Sequence, residues 1–335
     1  MAARLVMVFV PDAEVALASS IAKRHARRVW TRPVQGVTES VLCVVQGRYL
    51  ERLLKDLDAT FSAVDTFNVV VLPVEALVPP LRETNESSLP DERGLRPQSR
   101  LEAFFSRGRL STDELYEDIE DSVRLSSSFV FTALASALIA ALGMRSGQTA
   151  IVIGAMVIAP FLGPSIGMAM AGTLGDHRLG RRAATTVAVG AALTLMLMSF
   201  LGRFVEVDIT VPELLNRTVI NPADLVLALA SGATGVLAFS RGTALSLVGV
   251  MIAVALVPPL SAAGLLLGSG HPELALSAFL LFGANLVCIN VAGIATFLAQ
   301  GLPPQSWRIT GGILAVWTLL LSLLIVIVGA RFGGL

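Results

Sequence analysis

Charged residues are scarce in this chain and unevenly distributed. They make up 15% of its 335 residues, whereas ordinary soluble domains carry about 25%. They are frequent up to Arg124 and become rare beyond it, where long apolar segments dominate. Such a change of composition indicates a change of solvent. The sequence therefore predicts a soluble first part followed by a membrane-embedded second part.

Cysteine and histidine are also scarce. The two cysteines, Cys43 and Cys288, lie in different halves of the chain, which argues against a disulfide framework or a cysteine-based metal site. His25 has no partner at metal-ligand spacing, and we predict that it lies on the surface. We therefore expect no metal and no cofactor.

The N-terminus does not read as a secretory signal. Residues 1–10 are apolar but lead into Pro11-Asp12, without the basic segment, long apolar core and cleavage site of a signal peptide. This pattern predicts that the N-terminal domain stays in the cytoplasm.

Residues 1–76 carry alternating strand and helix patterns. The apolar stripe Leu50, Leu53, Leu54 and Leu57 indicates an amphipathic helix. The order βαββαβ predicts an α+β, ferredoxin-like cytoplasmic domain, a fold that does not itself assign a function. The predicted strands are 4–10, 28–34, 38–46 and 67–74, and the predicted helices are 12–24 and 49–57.

A polar linker and an amphipathic helix connect the two parts. Residues 77–110 are rich in Pro, Ser, Glu and Arg, so we expect a flexible linker. Within 111–125, Leu115, Ile119 and Val123 recur every fourth residue among acidic side chains, and Ser111 lies three residues before a glutamate as in a capping box. We predict an amphipathic helix whose acidic face is solvated or contacts protein; the alternative is that its six acidic side chains gather cations.

Residues 126–335 are predicted to form an α-helical transmembrane domain. Seven apolar stretches reach the length needed to cross a bilayer, and the arginines show a modest bias that places the N-terminus inside. The predicted spans are 126–143, 149–172, 183–201, 223–239, 243–267, 274–298 and 309–330.

The first three spans resemble the next three. With a shift of 95 residues, 133–136 (ALAS) matches 228–231 and Pro164 matches Pro259; in the third span the shift becomes 93. This predicts repeat 1 at 126–202, repeat 2 at 221–300 and an extra helix at 307–331. Because each copy has three spans, the two copies are expected in opposite orientations, an architecture of many secondary transporters.

Proline interrupts the second helix of each copy. We expect both helices to break, because proline removes an amide donor and clashes with the preceding turn. Two asparagines in the sixth span are costly to leave facing lipid. A packing kink and asparagine-mediated helix contacts are the structural alternatives. The predicted substrate or ion site at the bilayer midplane comprises Pro160, Gly163, Pro164, Ser165, Pro258, Pro259, Ser261, Asn285 and Asn290.

Several motifs resemble a known family. They are DELYEDI at 113–119, IGAMVIAP at 153–160, Gly163-Pro164, ALASG at 228–232, VALVPPL at 254–260 and NLVCIN at 285–290. Over about 111–301 the chain resembles the bacterial domain-of-unknown-function 389 family, also called the uncharacterised hydrophobic domain family. The resemblance implies a multi-pass membrane protein of a prokaryotic inner (cytoplasmic) membrane, and supplies no substrate or catalytic residues.

These patterns favour a transporter or channel for a small solute or ion, regulated by the cytoplasmic domain. The alternative is a membrane-embedded sensor or scaffold without transport. We do not expect an enzyme, because the spans offer only hydroxyls, two asparagines and Cys288 rather than an acid, base or metal cluster. The expected partners are the lipid bilayer, a small solute or ion and further copies of the chain, with no nucleic acid.

Overall fold

The computed structural model describes residues 3–26, 28–33, 38–64, 66–74, 110, 112–242, 245–302, 304 and 307–332. The chain forms two compact units, Met1–Glu114 and Leu115–Leu335. The predicted flexible linker and the capping residue Ser111 lie outside the described residues, apart from Leu110 at the end of the linker.

The first unit contains a four-stranded antiparallel sheet with two helices. The strand order is β2-β3-β1-β4, with Met7 of β1 opposite Leu42 of β3 and Val70 of β4. This is the βαββαβ arrangement predicted from the sequence, that of a ferredoxin-like domain. Its elements are β1 (Ala3–Pro11), a 3-10 turn (Asp12–Glu14), α1 (Val15–His25), β2 (Arg28–Pro33), β3 (Thr38–Gln46), α2 (Gly47–Phe61) and β4 (Asn68–Val74).

The core of this unit lies between one face of the sheet and the two helices. Alternate residues of β1, such as Val6 and Val8, are fully buried, as the two-residue period of a strand requires. In α2, Leu50, Leu53 and Leu57 are buried, which confirms most of the predicted apolar stripe. The other sheet face exposes apolar residues, including Trp30, Val70 and Leu72.

The prediction that His25 lies on the surface is wrong. Its side chain is buried, and Nε2 lies 2.8 Å from Oδ2 of Asp56 in α2. His25 follows Ile21 by four residues and Ala22 by three, so it continues the buried stripe of α1.

The second unit is helical. Among the residues that the structure describes, four helices of this unit are long and apolar enough to cross a membrane, and the total is five if the bent pair α5–α6 counts as one span. Each of the seven predicted spans falls on a helix or on this bent pair. The helices are α3 (Thr112–Ser122, which begins in the first unit), α4 (Ser127–Arg145), α5 (Thr149–Ile158), α6 (Leu162–Leu174), α7 (His177–Phe204), α8 (Pro212–Leu215), α9 (Pro222–Phe239), α10 (Leu245–Gly268), α11 (Pro272–Ala299) and α12 (Trp307–Phe332).

Helix ends recur along the sequence at the spacing of the predicted repeat. The helices α4 and α9 begin 95 residues apart, and α7 and α11 both begin and end 95 residues apart. Two pairs of glycines with positive φ follow the same spacing: Gly147 (63°) with Gly242 (61°), and Gly175 (78°) with Gly270 (87°). Turns 95 residues apart therefore share backbone conformations that favour glycine.

Candidate functional site

The break between α5 and α6 is the centre of the candidate site. The two helices meet at an angle of 58°. Ala159 is extended, with φ −70° and ψ 129°, as expected of a residue that precedes proline. Pro160 therefore ends α5, as predicted. Phe161, at the start of α6, is buried and makes an edge-on contact with Phe129, the ring centroids being 5.9 Å apart.

A serine from α4 satisfies one carbonyl group at the end of α5. In an unbroken helix Ala159 N–H would bond to the Ala155 carbonyl, but it bonds instead to the Met156 carbonyl at 3.3 Å. The Ala155 carbonyl accepts a hydrogen bond of 2.7 Å from Ser136 Oγ. This replacement bond stabilises the break, because an unpaired carbonyl in an apolar interior is costly.

The prediction that the second proline motif also breaks its helix is wrong. Pro258 and Pro259 lie inside α10, which is one continuous helix. Pro259 has no N–H to give to the Ala255 carbonyl four residues earlier. Asn285 of α11 donates Nδ2–H to that carbonyl at 2.8 Å. Proline is tolerated in membrane helices when a neighbouring group supplies the missing bond, and Asn285 does so here.

All four polar residues of the predicted site present buried oxygens without partners. Ser165 Oγ, Ser261 Oγ, Asn285 Oδ1 and Asn290 Oδ1 are buried, and the described residues offer none of them a hydrogen bond. Asn290 Nδ2 donates to the Leu286 carbonyl at 2.8 Å, so its oxygen points away from its own helix backbone. Unsatisfied buried polar atoms call for an explanation.

Ser165 lies on the side of α6 that meets α11. A Cβ atom at Gly293 would lie 2.7 Å from Ala169 Cβ, and one at Gly172 would lie 2.9 Å from Ile294 Cδ1. Ser165 precedes Ala169 by four residues and Gly172 by seven, and these spacings place all three on one helix face.

Asn290 lies on the corresponding side of α11. It precedes Gly293 by three residues and Ile294 by four, and both of these residues contact α6. By the same helical periodicity Asn290 faces α6. The contact between the two helices therefore includes an unpartnered oxygen from each of them.

The two helices run in the same direction. Thr310, in the first turn of α12, donates Oγ1–H to the Thr173 carbonyl near the end of α6 at 2.8 Å. Since α12 begins soon after α11 ends at Ala299, the C-terminal ends of α6 and α11 lie on the same side. Ser165 and Asn290 consequently lie at similar heights, about one turn before the contact of Ala169 with Gly293.

Ser261 lies on a different contact. It is buried and has no hydrogen-bond partner among the described residues. It precedes Gly264 by three residues and Leu265 by four, and both pack on α7 against Met198 and Gly202. Ser261 therefore faces α7, whereas Ser165 and Asn290 occupy the contact between α6 and α11. The grouping of Ser261 with Ser165 and Asn290 in one site stays a prediction.

Gly163 and Pro164 lie in the first turn of α6, where a missing N–H is tolerated. A Cβ at Gly163 would lie 2.6 Å from Ser122 Cβ and 2.9 Å from the Ser122 carbonyl oxygen. The close approach predicted at Gly163 is therefore made to the end of α3.

The apolar face of α3 is packed inside the second unit. Leu115, Ile119 and Val123 are buried, which confirms the predicted stripe. A Cβ at Gly167 of α6 would overlap Val123 Cγ1, and Thr186 of α7 donates Oγ1–H to the Val123 carbonyl at 2.7 Å.

Polar contacts hold the other side of α3 to the start of α7. Tyr116 donates its hydroxyl hydrogen to Asp176 Oδ2 at 2.6 Å, and Arg182 contacts Glu120. The hydrogen bond to Asp176, with burial, raises the pKa of Tyr116 to about 12. Burial alone would raise the pKa of Asp176, but hydrogen bonds from Tyr116 and from the N–H groups that Asp176 caps lower it below its usual value.

Sequence patterns missed this set of contacts. They identified the acidic face of α3 but not its partners on the loop between α6 and α7. The sequence does show that Asp176 can cap a helix and that arginines follow it at 178, 181 and 182. This pattern marks the start of α7 as a polar contact site, but it does not name α3 as the partner. The distance of 60 residues between Tyr116 and Asp176 placed the pairing beyond any local pattern.

Part of the chain is similar to a described family. Residues 156–291 match the family described as "Domain of unknown function (DUF389)". The predicted family resemblance is confirmed. The DUF389 match begins within α5 and ends within α11, so it contains the helix break, both proline motifs and both asparagines.

The chain is also similar to the uncharacterized protein MJ0678 of Methanocaldococcus jannaschii. The two are 28% identical over 280 residues, which are 83% of this chain and 82% of that protein. The similarity therefore covers most of both chains and includes an archaeal protein. No solved structure matches the chain significantly.

Proposed function

We propose that this chain is a membrane transporter or channel for a small solute or ion. The observation that carries the proposal is the pair of buried, unpartnered oxygens, Ser165 Oγ and Asn290 Oδ1, beside the broken helix α5–α6. Irregular backbone and polar groups within a membrane occur where they line a cavity or a solute path. The proposed location is the inner membrane of a prokaryote, with the N-terminal domain in the cytoplasm.

The proposed architecture has seven spans, with an inverted repeat formed by the first six. The recurrence of helix ends and positive-φ glycines at 95 residues supports two similar copies. Three spans per copy reverse the second copy relative to the first. Inverted copies give a protein two related conformations with opposite access, as in known secondary transporters.

The single break is compatible with such a cycle. The bent pair α5–α6 and the continuous α10 are counterparts in the two copies, and they differ in how the proline defect is satisfied. In an alternating-access cycle, the two copies adopt different conformations at any one time. We expect the second state to bend α10 at Pro258 and Pro259.

Flux through reconstituted protein tests this proposal. Purified protein in liposomes is assayed for sodium and potassium flux with ion-sensitive dyes and for glycerol and urea flux by light scattering. We expect at least one flux above empty liposomes, and its loss in Ser165→Ala and Asn290→Leu. The matched control is Thr194→Val, which removes another buried hydroxyl without a partner among the described residues. Absence of all four fluxes, or equal flux in all variants, contradicts the proposal.

A sensor or scaffold is the second candidate function, and the contacts of α3 favour it. The helix that follows the cytoplasmic domain in sequence packs directly on the first turn of α6 through Ser122 and Gly163. A change in the cytoplasmic domain would thereby reach the break. Folded protein that is silent in every flux assay, yet changes protection at α6 when α3 is altered, would favour this function.

A further inference from the structure

The oxygen of Asn290 has a fixed orientation. An asparagine amide has one acceptor end and one donor end. Because Nδ2 donates to the Leu286 carbonyl at 2.8 Å, the amide cannot be flipped without setting two oxygens against each other. Its Oδ1 is therefore the end presented towards α6, and it has no hydrogen-bond partner among the described residues.

The chemistry of the two oxygens limits what can occupy the contact. Leaving a buried carbonyl oxygen without a donor is unfavourable, so a ligand that donates a hydrogen bond or carries positive charge is favoured. An anion is disfavoured, since it would meet the negative end of the Asn290 dipole. Ser165 Oγ also offers lone pairs.

The surroundings restrict the charge of that ligand. No Asp or Glu lies within the described apolar parts of α4, α5, α6, α7, α10 and α11; Glu273 lies at the start of α11. A divalent cation normally binds through carboxylates, and without them its dehydration would be poorly offset. A monovalent cation is held well by neutral carbonyl-type oxygens.

We propose that the contact between α6 and α11 binds one monovalent alkali cation, with Asn290 Oδ1 and Ser165 Oγ as two of its ligands. Water completes the coordination shell. This inference rests on the proposed function for the role of the cation as a transported or coupling ion. The binding itself is independent of flux and is tested separately.

Thermal unfolding of the whole protein in detergent tests the binding. Melting is followed in LiCl, NaCl, KCl and choline chloride at equal concentration, so that ionic strength is constant. A ligand that binds only the folded state raises Tm with concentration, and we expect at least one alkali cation to raise it by about 3–5 °C relative to choline. Calcium and magnesium chloride are expected to give no larger rise.

The variants identify the site. Ser165→Ala is a small change that keeps α6 intact, and it should reduce the cation-dependent rise by half or more. Asn290→Leu should abolish it. Thr194→Val, on α7, should keep it in full. If Asn290→Leu does not fold, Ser165→Ala and titration calorimetry of NaCl and KCl into wild type in choline buffer decide the question.

The outcomes separate this inference from the proposed function. An unchanged Tm in all alkali salts, or an undiminished rise in Ser165→Ala, overturns cation binding whatever the flux assays give. A cation-dependent rise lost in Ser165→Ala, in a protein without flux, supports the site and contradicts transport. Solute flux in choline medium without any cation effect supports transport and contradicts the cation site.

Discussion

At Pro259 helix α10 lacks one hydrogen-bond donor, and a side chain of α11 replaces it. Asn285 Nδ2 lies 2.8 Å from the Ala255 carbonyl oxygen that Pro259 cannot serve. This single bond ties two buried helices together at the point where one of them is weakest. The amide nitrogen of Asn285 therefore has a structural role. Its Oδ1 has no partner among the described residues and can still accept a hydrogen bond.

Asn285→Leu should destabilise the protein by about 1–3 kcal/mol, because it leaves the Ala255 carbonyl buried without a donor. Pro259→Ala restores an N–H that can bond to the same carbonyl within α10. The double variant Asn285→Leu/Pro259→Ala should therefore recover most of the loss. Thermal unfolding of the four proteins in detergent measures the coupling, and a double variant no more stable than Asn285→Leu would contradict this assignment.

Gly163 allows the end of α3 to pack closely against α6. A Cβ at this position would lie 2.6 Å from Ser122 Cβ and 2.9 Å from the Ser122 carbonyl oxygen. Gly163→Ala should therefore separate α3 from α6 and cost about 1–3 kcal/mol. Gly154→Ala is the control, since a Cβ there meets nothing within 4 Å.

Two measurements check the Gly163 prediction. Tm in detergent should fall for Gly163→Ala and remain unchanged or rise slightly for Gly154→Ala, because alanine favours helix over glycine. Hydrogen exchange should show faster exchange in α3 of the Gly163→Ala protein. Equal protection of α3 in the two variants would mean that Gly163 does not control this contact.

At the scale of elements, α3 is fastened to the loop between α6 and α7 by Tyr116 and Asp176. The pKa of Tyr116 is raised to about 12. Its hydrogen bond therefore stabilises the folded protein fully below the usual tyrosine pKa of about 10, and this stabilisation is lost as pH rises towards 12. The pKa of Asp176 is lowered. Its carboxylate therefore stabilises the folded protein fully above about pH 4, and this stabilisation is lost as pH falls through the pKa that Asp176 has in the folded state. The contact is thus expected to hold from mildly acidic to mildly alkaline pH.

Tyrosine absorbance tests this pairing directly, because the chain has two tyrosines. In a Tyr49→Phe protein, Tyr116 should ionise around pH 12. Asp176→Asn removes the negative charge beside the hydroxyl, so the midpoint should move towards 10. Asp118→Asn, on the exposed face of α3, should leave it unchanged. A midpoint near 10 in the starting protein would exclude the hydrogen bond.

Sequence periodicity predicts some elements correctly and others not. The apolar stripe Leu115, Ile119 and Val123 identified α3 because amphipathic spacing is local information. The continuity of α10 through Pro258 and Pro259 was not predictable, since it depends on a donor contributed by α11. Similarly, the sequence supplied Ser165 and Asn290 as polar residues, but the contact that brings their faces together is tertiary.

At the scale of the whole molecule, the two predicted copies share helix ends and turn conformations but not polar side chains. The glycines with positive φ at 147 and 242, and at 175 and 270, recur at a spacing of 95 residues, whereas Gly190 stands 95 residues before Asn285. In the predicted first copy a serine from α4 bonds to the carbonyl at the helix break, and in the predicted second copy Asn285 bonds to the carbonyl that Pro259 leaves without a donor. The two proline motifs therefore carry different polar partners.

The proposed membrane topology predicts which segments face the cytoplasm and which face outside. With the N-terminus in the cytoplasm, the α6–α7 loop lies inside and the segment between α7 and α8 lies outside. Arg178, in the first turn of α7 beside the first of these segments, and Asp208, within the second, are exposed. In a protein whose Cys43 and Cys288 are replaced by alanine, a membrane-impermeant thiol reagent added to intact cells should label Asp208→Cys and leave Arg178→Cys unlabelled. Permeabilised cells should label both, which controls for accessibility.

The reverse pattern in intact cells would invert the topology and remove the cytoplasmic assignment of the first domain, because an odd number of spans separates the two labelled segments.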